Sequence, residues 1–204
     1  MPKIIDLKKE CKHLYNPSAK TASLVEVPKM NFLMIDGKGD PNKSKDFQEA
    51  IESLFSLSYT IKFNLKKSGG YDYRVMPLEG LWWVEGRIDK FRLENKKNWK
   101  WTLMIMQPEF VTAKKVQEAR EQLEKKKAPA MLSELRFENL AEGNAAQIMH
   151  VGPFSKEGPT LAKLHQFIDK SGHSLRGKHH EIYLSDFRRV APERMKTVIR
   201  QPLK

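Results

Sequence analysis

Residues 178–184 read Lys-His-His-Glu-Ile-Tyr-Leu, and Ser185, Asp186, Phe187, Arg188 and Arg189 follow. The β-branched and aromatic content predicts a strand. Side chains in a strand alternate between faces, so His179, Glu181 and Tyr183 share one face and Ile182 and Leu184 the other. The second face reads as core. The first carries a carboxylate beside an aromatic ring, which folding alone does not need. Over an aromatic-walled floor Glu181 would be the polar anchor of a ligand pocket; on the wet face of an edge strand it would be an ordinary surface glutamate.

Working outward, residues 157–170 predict a helix that buries Leu161, Leu164, Phe167 and Ile168, stopped by Ser171-Gly172. Before it, 135–140 and 145–151 read as a strand pair around Glu142-Gly143-Asn144, a hairpin signal. The second of them ends in His150-Val151-Gly152-Pro153-Phe154. After the opening stretch come a helical turn at 191–195 and a short strand at 196–202.

The first part of the chain has the same element order. Residues 25–37 form a strand with the run Phe32-Leu33-Met34-Ile35, ended by Asp36-Gly37-Lys38-Gly39-Asp40-Pro41. Its two glycines and lysine lack the P-loop pattern and read as a strand-to-helix turn. Residues 44–65 place Phe47, Ile51, Leu54, Phe55 and Tyr59 near helical spacing, and Ser68-Gly69-Gly70 closes that helix. Strands at 71–76 and 81–85 flank Pro77 and Gly80, which bracket Glu79 and predict a bulge or sharp bend. Adjacent Trp82 and Trp83 must point to opposite faces, so one of them is free to line a cavity. Residues 98–107 put Trp99, Trp101, Leu103 and Ile105 on one face and Thr102, Met104 and Met106 on the other. A helix over 111–127, with Thr112 as its candidate cap, connects the halves.

The expected fold is therefore α+β. Duplicated strand-helix-strand-strand halves, about 24–110 and 130–204, join into a curved antiparallel sheet. Its helices lie on one face, and a ligand groove lies at the pseudo-twofold seam, on the opposite curved face. Residues 1–23 are expected to be an arm packed on the outside.

At 204 residues, 40% hydrophobic and 30% charged, the chain is globular rather than disordered. Its formal net charge of +12 invites a nucleic-acid or anionic partner. The basic residues are scattered, however, and no helix-turn-helix module is visible, so nucleic acid is not the expected partner. The single cysteine, Cys11, excludes an internal disulfide and cysteine-based zinc sites, and the six histidines lack metal spacing. No metal or other cofactor is expected. The start of the chain lacks an apolar signal core, and no apolar run approaches the ~20 residues of a membrane span. A soluble cytoplasmic protein with no membrane partner is the expectation; the oligomeric state stays open.

Five stretches together resemble the GyrI-like small-molecule-binding family in its stand-alone form: 32–41, 79–83, 101–108, 150–154 and 180–189. The resemblance covers about residues 24–202. It implies a drug-binding groove at the seam. In regulators of this fold a buried glutamate holds cationic aromatic drugs, and Glu181 matches that position. Phe187 stands where the family pattern has a proline. A stand-alone subset is associated with hydrolysing cyclopropane-bearing DNA-alkylating compounds inside an aromatic cage. The chain resembles that subset, having no DNA-binding segment and carrying Trp82, Trp83, Trp99 and Trp101.

Read this way, Glu181 either anchors a cation or acts as a general base on water, and Tyr183 stacks on the ligand or donates a hydrogen bond. Glu79 is either a second polar group opposite Glu181 or a turn residue. Trp82 or Trp83, with Trp101 and Met106, are cage candidates against a background of core packing, and Phe154 covers the groove. His150 is either a proton carrier or structural. Arg188 and Arg189 read as ion-pair partners that fix the last loop. The expected function is binding, with hydrolysis open, of a planar aromatic, cationic or electrophilic small molecule. The alternative is an interaction module, gyrase-inhibitor-like, acting on an acidic partner through the basic surface.

Overall fold

The computed structural model describes residues 4–84, 96–186 and 189–204. Phe187, Arg188 and the end of the strand expected at 81–85 lie outside the described residues. In chain order the elements are α1 (Leu7–Glu10), α2 (Lys12–Tyr15), β1 (Ser23–Val27), β2 (Met30–Lys38), α3 (Lys45–Lys67), β3 (Leu78–Val84), β4 (Trp99–Gln107), α4 (Ala113–Glu124), β5 (Arg136–Leu140), β6 (Gly143–Val151), α5 (Gly158–Lys170), β7 (His179–Tyr183) and β8 (Lys196–Pro202). The order strand-helix-strand-strand occurs twice, as β2-α3-β3-β4 and β6-α5-β7-β8.

The strands form one curved antiparallel sheet in the order β1-β6-β8-β7-β3-β4-β2-β5, so the seam between the repeats is the β7–β3 pair. The hairpin expected between β5 and β6 does not form. Instead β1 pairs with β6 and β2 with β5, and the register runs on unchanged across the break: Val27 faces Gly143, and Met30 faces Leu140. The two strand pairs are thus one long ribbon, interrupted at Pro28-Lys29 and Ala141-Glu142. Pro28 has no N–H to give a ladder, and Glu142 turns its carboxylate inward, so the break falls where pairing is weakest.

Both long helices pack on the same sheet face. Ser44 caps α3 by accepting from the Phe47 N–H, 3.2 Å. The helix lays Leu54, Leu57 and Ile61 into the core, each contributing about 1.5–3 kcal/mol by leaving water. Its Phe47 ring lies 5.2 Å from Trp101 and 5.9 Å from Trp82. Leu164 and Ile168 of α5 pack against Ala146, Ile148 and Ile199. By strand alternation Trp82, Trp101, Ile199 and Glu181 all belong to this helix-bearing face.

The opposite face at the seam is not left open, and the N-terminal segment does not pack on the outside as expected. Leu14 and Tyr15 are buried, and the segment is tied down over the sheet. Arg200 donates to the Leu14 carbonyl at 2.8 Å, Gln147 to the His13 carbonyl at 2.6 Å, and the Tyr15 hydroxyl to Glu79 at 2.9 Å. These bonds give the buried polar groups of that face their partners.

The expected bulge around Gly80 is absent too. β3 pairs without a skip to β4 on one side and to β7 on the other. Glycine at this position serves close approach rather than a bend.

Candidate functional site

β7 is an inner strand, so its alternating side chains are buried on both faces. On the helix-bearing face Glu181 is 7% exposed, and both of its oxygens have partners. His179 Nε2 lies 3.0 Å from Oε1, and the Tyr183 hydroxyl donates to Oε2 at 2.8 Å. The same hydroxyl accepts from Trp82 Nε1 at 3.0 Å. Burial first, and then the adjacent Glu181 carboxylate, push the Tyr183 phenol well above its ordinary value of 10, so it keeps its proton as a donor.

Aromatic rings gather around Tyr183 and Trp82. Trp82 meets Trp99 edge-on at 5.3 Å and Phe47 at 5.9 Å, and Phe154 meets Tyr183 edge-on at 5.6 Å. Such pairs each add about 0.5–1.5 kcal/mol beyond area burial. Phe154 is 37% exposed, which makes it the outermost ring of the group. Lys96 stands 5.5 Å above the Trp99 ring.

Glu157, immediately before α5, completes the site. It is 2% exposed, and its Oε1 is buried without a hydrogen-bond partner. Burial and the neighbouring Glu181 charge raise its carboxyl far above the ordinary carboxylic range.

Of the candidates read from the sequence, Glu181, Tyr183, Trp82 and Phe154 come together here. Trp101 shares the face but is fully buried behind Phe47. Glu79, Trp83 and Met106 point to the other face, because each is one residue out of phase with the site-facing positions of its strand. There Met106 packs in the core, and Lys178 Nζ lies 3.4 Å from the Trp83 ring centroid. His150 is pinned by Thr160 at 2.9 Å and the Pro153 carbonyl at 3.2 Å, a structural role. Arg189 lies 3.6 Å from Asp186. The sequence reading missed Phe47, Glu157 and Thr197 as site neighbours. In the sequence Phe47 and Glu157 read only as parts of helices, and nothing local marks the meeting of Phe47 with Trp82 and Trp101.

Glu79 belongs to a buried polar cluster on that other face. His180, fully buried, lies 3.0 Å from Glu79 through Nε2 and 3.0 Å from Glu142 through Nδ1. Arg200 donates to Glu142 at 3.1 Å. Burial disfavours the His180 cation, but Glu142 and Glu79 outweigh it and raise His180 to about 9. Burial likewise pushes Glu142 up, yet His180 and Arg200 prevail and hold it at about 2. This cluster is a charge-balanced scaffold beneath the seam.

Two hollows lie away from this group. One of about 420 Å³ is lined by Glu118, Glu121, Gln122, Lys125 and Lys126 of the α4 region, and one of about 270 Å³ lies beside β1 and β6. No group of three or more metal-ligating side chains occurs among the described residues, and none of their helices is long and apolar enough to cross a membrane.

Comparison with known proteins places this geometry in context. The profile of the GyrI-like small molecule binding domain matches residues 21–204. An uncharacterized conserved protein from Listeria innocua is 44% identical over 98% of this chain and 100% of its own, with a TM-score of 0.91. A hydrolase from Listeria innocua is 43% identical over 99% of this chain and 100% of its own, with a TM-score of 0.89. The C-terminal domain of EcmrR, 15% identical over 90% of this chain and 97% of its own, shares the fold with a TM-score of 0.56. Among curated proteins there is no match.

Proposed function

Since the chain belongs to the GyrI-like small-molecule-binding family, we propose that the Glu181 site binds planar aromatic xenobiotics, cationic or electrophilic, and hydrolyses those that carry a strained cyclopropane. One observation carries this reading: a buried carboxylate at the central strand pair, held by an imidazole and a phenol and framed by Trp82, Trp99, Phe47 and Phe154. Such a frame favours flat apolar ligands with one polar or charged feature. Two highly similar proteins named hydrolases from Listeria innocua, 43% and 41% identical, support turnover as well as binding.

In the reaction, water adds its oxygen to a ring carbon and the carbon–carbon bond opens. The electron pair passes to the conjugated oxygen of the ligand. Glu181 takes the proton from water, and a proton is delivered to that oxygen, so the net change is addition of one water. Tyr183 has a single hydroxyl proton, which Glu181 accepts in the unliganded site. A ligand oxyanion would therefore compete with Glu181 for that donor, and the tie to Trp82 Nε1 keeps the hydroxyl in place meanwhile. Phe154 is the most exposed of these rings, so a ligand enters past it.

Titration with planar aromatic ligands while following tryptophan fluorescence tests the reading. Saturable quenching is expected, since Trp82 and Trp99 border the site. Absence of quenching by neutral, cationic and electrophilic aromatics alike would remove the groove.

A further inference from the structure

The buried face of α3 serves the core, and its opposite face carries a pattern that neither the core nor the ligand site uses. Phe55, Tyr59 and Phe63 follow one another at four-residue spacing and stack along the helix, with ring centroids 6.3 and 6.2 Å apart. Tyr59 is 45% and Phe63 52% exposed, and Phe55 is half-buried. Single exposed apolar side chains need no explanation, but three rings in contact make a patch. A charged residue closes the stripe at each end. Glu52 lies seven residues before Tyr59 and Lys66 seven after it, and both are exposed. Seven residues are close to two helical turns, so all five side chains share one face.

We propose that this face pairs with the same face of a second copy of the chain, the two α3 helices running antiparallel about a twofold axis through Tyr59. The stripe itself names the occupant, because it is complementary to its own reverse. About that axis Phe63 meets Phe55 of the copy and Lys66 meets Glu52 of the copy, each contact occurring twice, while Tyr59 meets its own counterpart. Rings fall on rings and cations on carboxylates. A parallel pairing would set Lys66 on Lys66 and Glu52 on Glu52. The same opposition runs through the whole helix: Asp46, Glu49 and Glu52 lie in its first half, and Lys62, Lys66 and Lys67 in its second. Lys45 is the exception, and it is engaged by Glu49 at 2.7 Å. Lys66 already holds Asp72 at 2.7 Å, but its side chain is 53% exposed and an ammonium has three protons to share. Antiparallel helices also set their dipoles in opposition, end against end. One helix face is small beside the ~800 Å² per partner of a standard interface, and a net charge of +12 opposes association, so the dimer is a weak one. The stripe lies on the side of α3 away from Phe47 and the sheet, so the pairing is independent of the ligand site.

Sedimentation velocity of the full chain over rising concentration is the first test, and a reversible monomer–dimer equilibrium is expected. Glu52→Lys and Lys66→Glu should each raise the dissociation constant about tenfold or more, since two attractive contacts become repulsive. An equimolar mixture of the two variants should recover the association, because every facing pair is again opposite in charge. Lys66→Glu also gives up its contact with Asp72, so melting curves separate a lost dimer from a lost fold. Tyr59→Glu touches no ion pair and should weaken the dimer at an unchanged melting temperature. The second test reads the register. In a Cys11→Ser background, Tyr59→Cys should give a disulfide-linked dimer under mild oxidation, and Phe55→Cys should link to Phe63→Cys but not to itself. Linkage of Phe55→Cys to itself, or a mixture of charge variants that stays apart, would overturn the antiparallel register. A chain that stays monomeric up to ~1 mM overturns the proposal. If that monomer binds anionic vesicles through Tyr59 and Phe63, the stripe belongs to a lipid surface instead.

Discussion

Gly80 and Glu181 are register partners across the seam of the sheet. A Cβ on Gly80 would lie 2.9 Å from the Tyr183 hydroxyl and 2.8 Å from Trp82 Nε1. The residue opposite the key carboxylate has no side chain, and the space it leaves holds the hydrogen bond that ties Trp82 to Tyr183. Gly80→Ala should therefore cost about 1–3 kcal/mol through overpacking. It should also weaken binding of planar aromatics. Thermal unfolding and fluorescence titration of the variant check both effects.

Glu181→Gln keeps the shape of the carboxylate and removes its basicity. Aromatic ligands should still bind within a few-fold, while ring-opening hydrolysis falls by about 10² or more. Single-turnover kinetics with a cyclopropane-bearing electrophile separate the two. Hydrolysis at the wild-type rate would assign the reaction to positioning by the rings alone.

The buried cluster beneath the seam makes stability depend on pH in a defined window. His180 is raised from its ordinary 6.5 to about 9, so its contribution is whole below 6.5 and is lost as pH climbs through 9. Glu142 is lowered from 4.5 to about 2, so its contribution is whole above 4.5 and is lost as pH falls through 2. The melting temperature should be highest between these limits and should fall from pH 6.5 to 9. A flat alkaline limb would show that His180 is neutral in the fold.

Glu142→Gln leaves two buried cations, His180 and Arg200, short of their counter-charge. A loss of about 3–5 kcal/mol in urea unfolding is expected. Tyr15→Phe is milder. It strips one donor from the buried Glu79 carboxylate and should cost about 1–3 kcal/mol.

Gly37 sits near the end of β2, where a Cβ would lie 2.1 Å from the Trp101 ring. Trp101 is fully buried and has nowhere to retreat. Gly37→Ala should destabilise by at least the usual ~1–3 kcal/mol of an overpacked core, measured by the same unfolding curves.

Much of this was legible in the sequence where the cause is local. The period-two pattern of 178–184 put His179, Glu181 and Tyr183 on one face, and Thr112 caps its helix as its side chain suggests. Alternation alone left Trp82 and Trp83 undecided; the register with β7 decides for Trp82. The misread parts depend on long-range pairing. Glu142-Gly143-Asn144 has the chemistry of a hairpin turn, yet β6 pairs on that edge with β1, and β5 pairs with β2 instead. The polar residues of the N-terminal segment suggested an exterior arm, but its two buried side chains, Leu14 and Tyr15, and its backbone carbonyls do the docking. Glu157 reads like any helix-start carboxylate, and only tertiary packing buries it.

The unbroken ribbon of β1–β2 against β5–β6 has a consequence for how the chain folds. Each repeat obtains an edge strand from the far side of the sequence: residues 23–27 complete the second, and residues 136–140 flank the first. Neither can finish its own sheet alone. Such distant pairings slow folding, because a long loop must close before they form. They also make the two repeats one cooperative unit. A chain cut between α4 and β5 would yield two fragments with unsatisfied edges, each the other's template, able to regain the fold only by association.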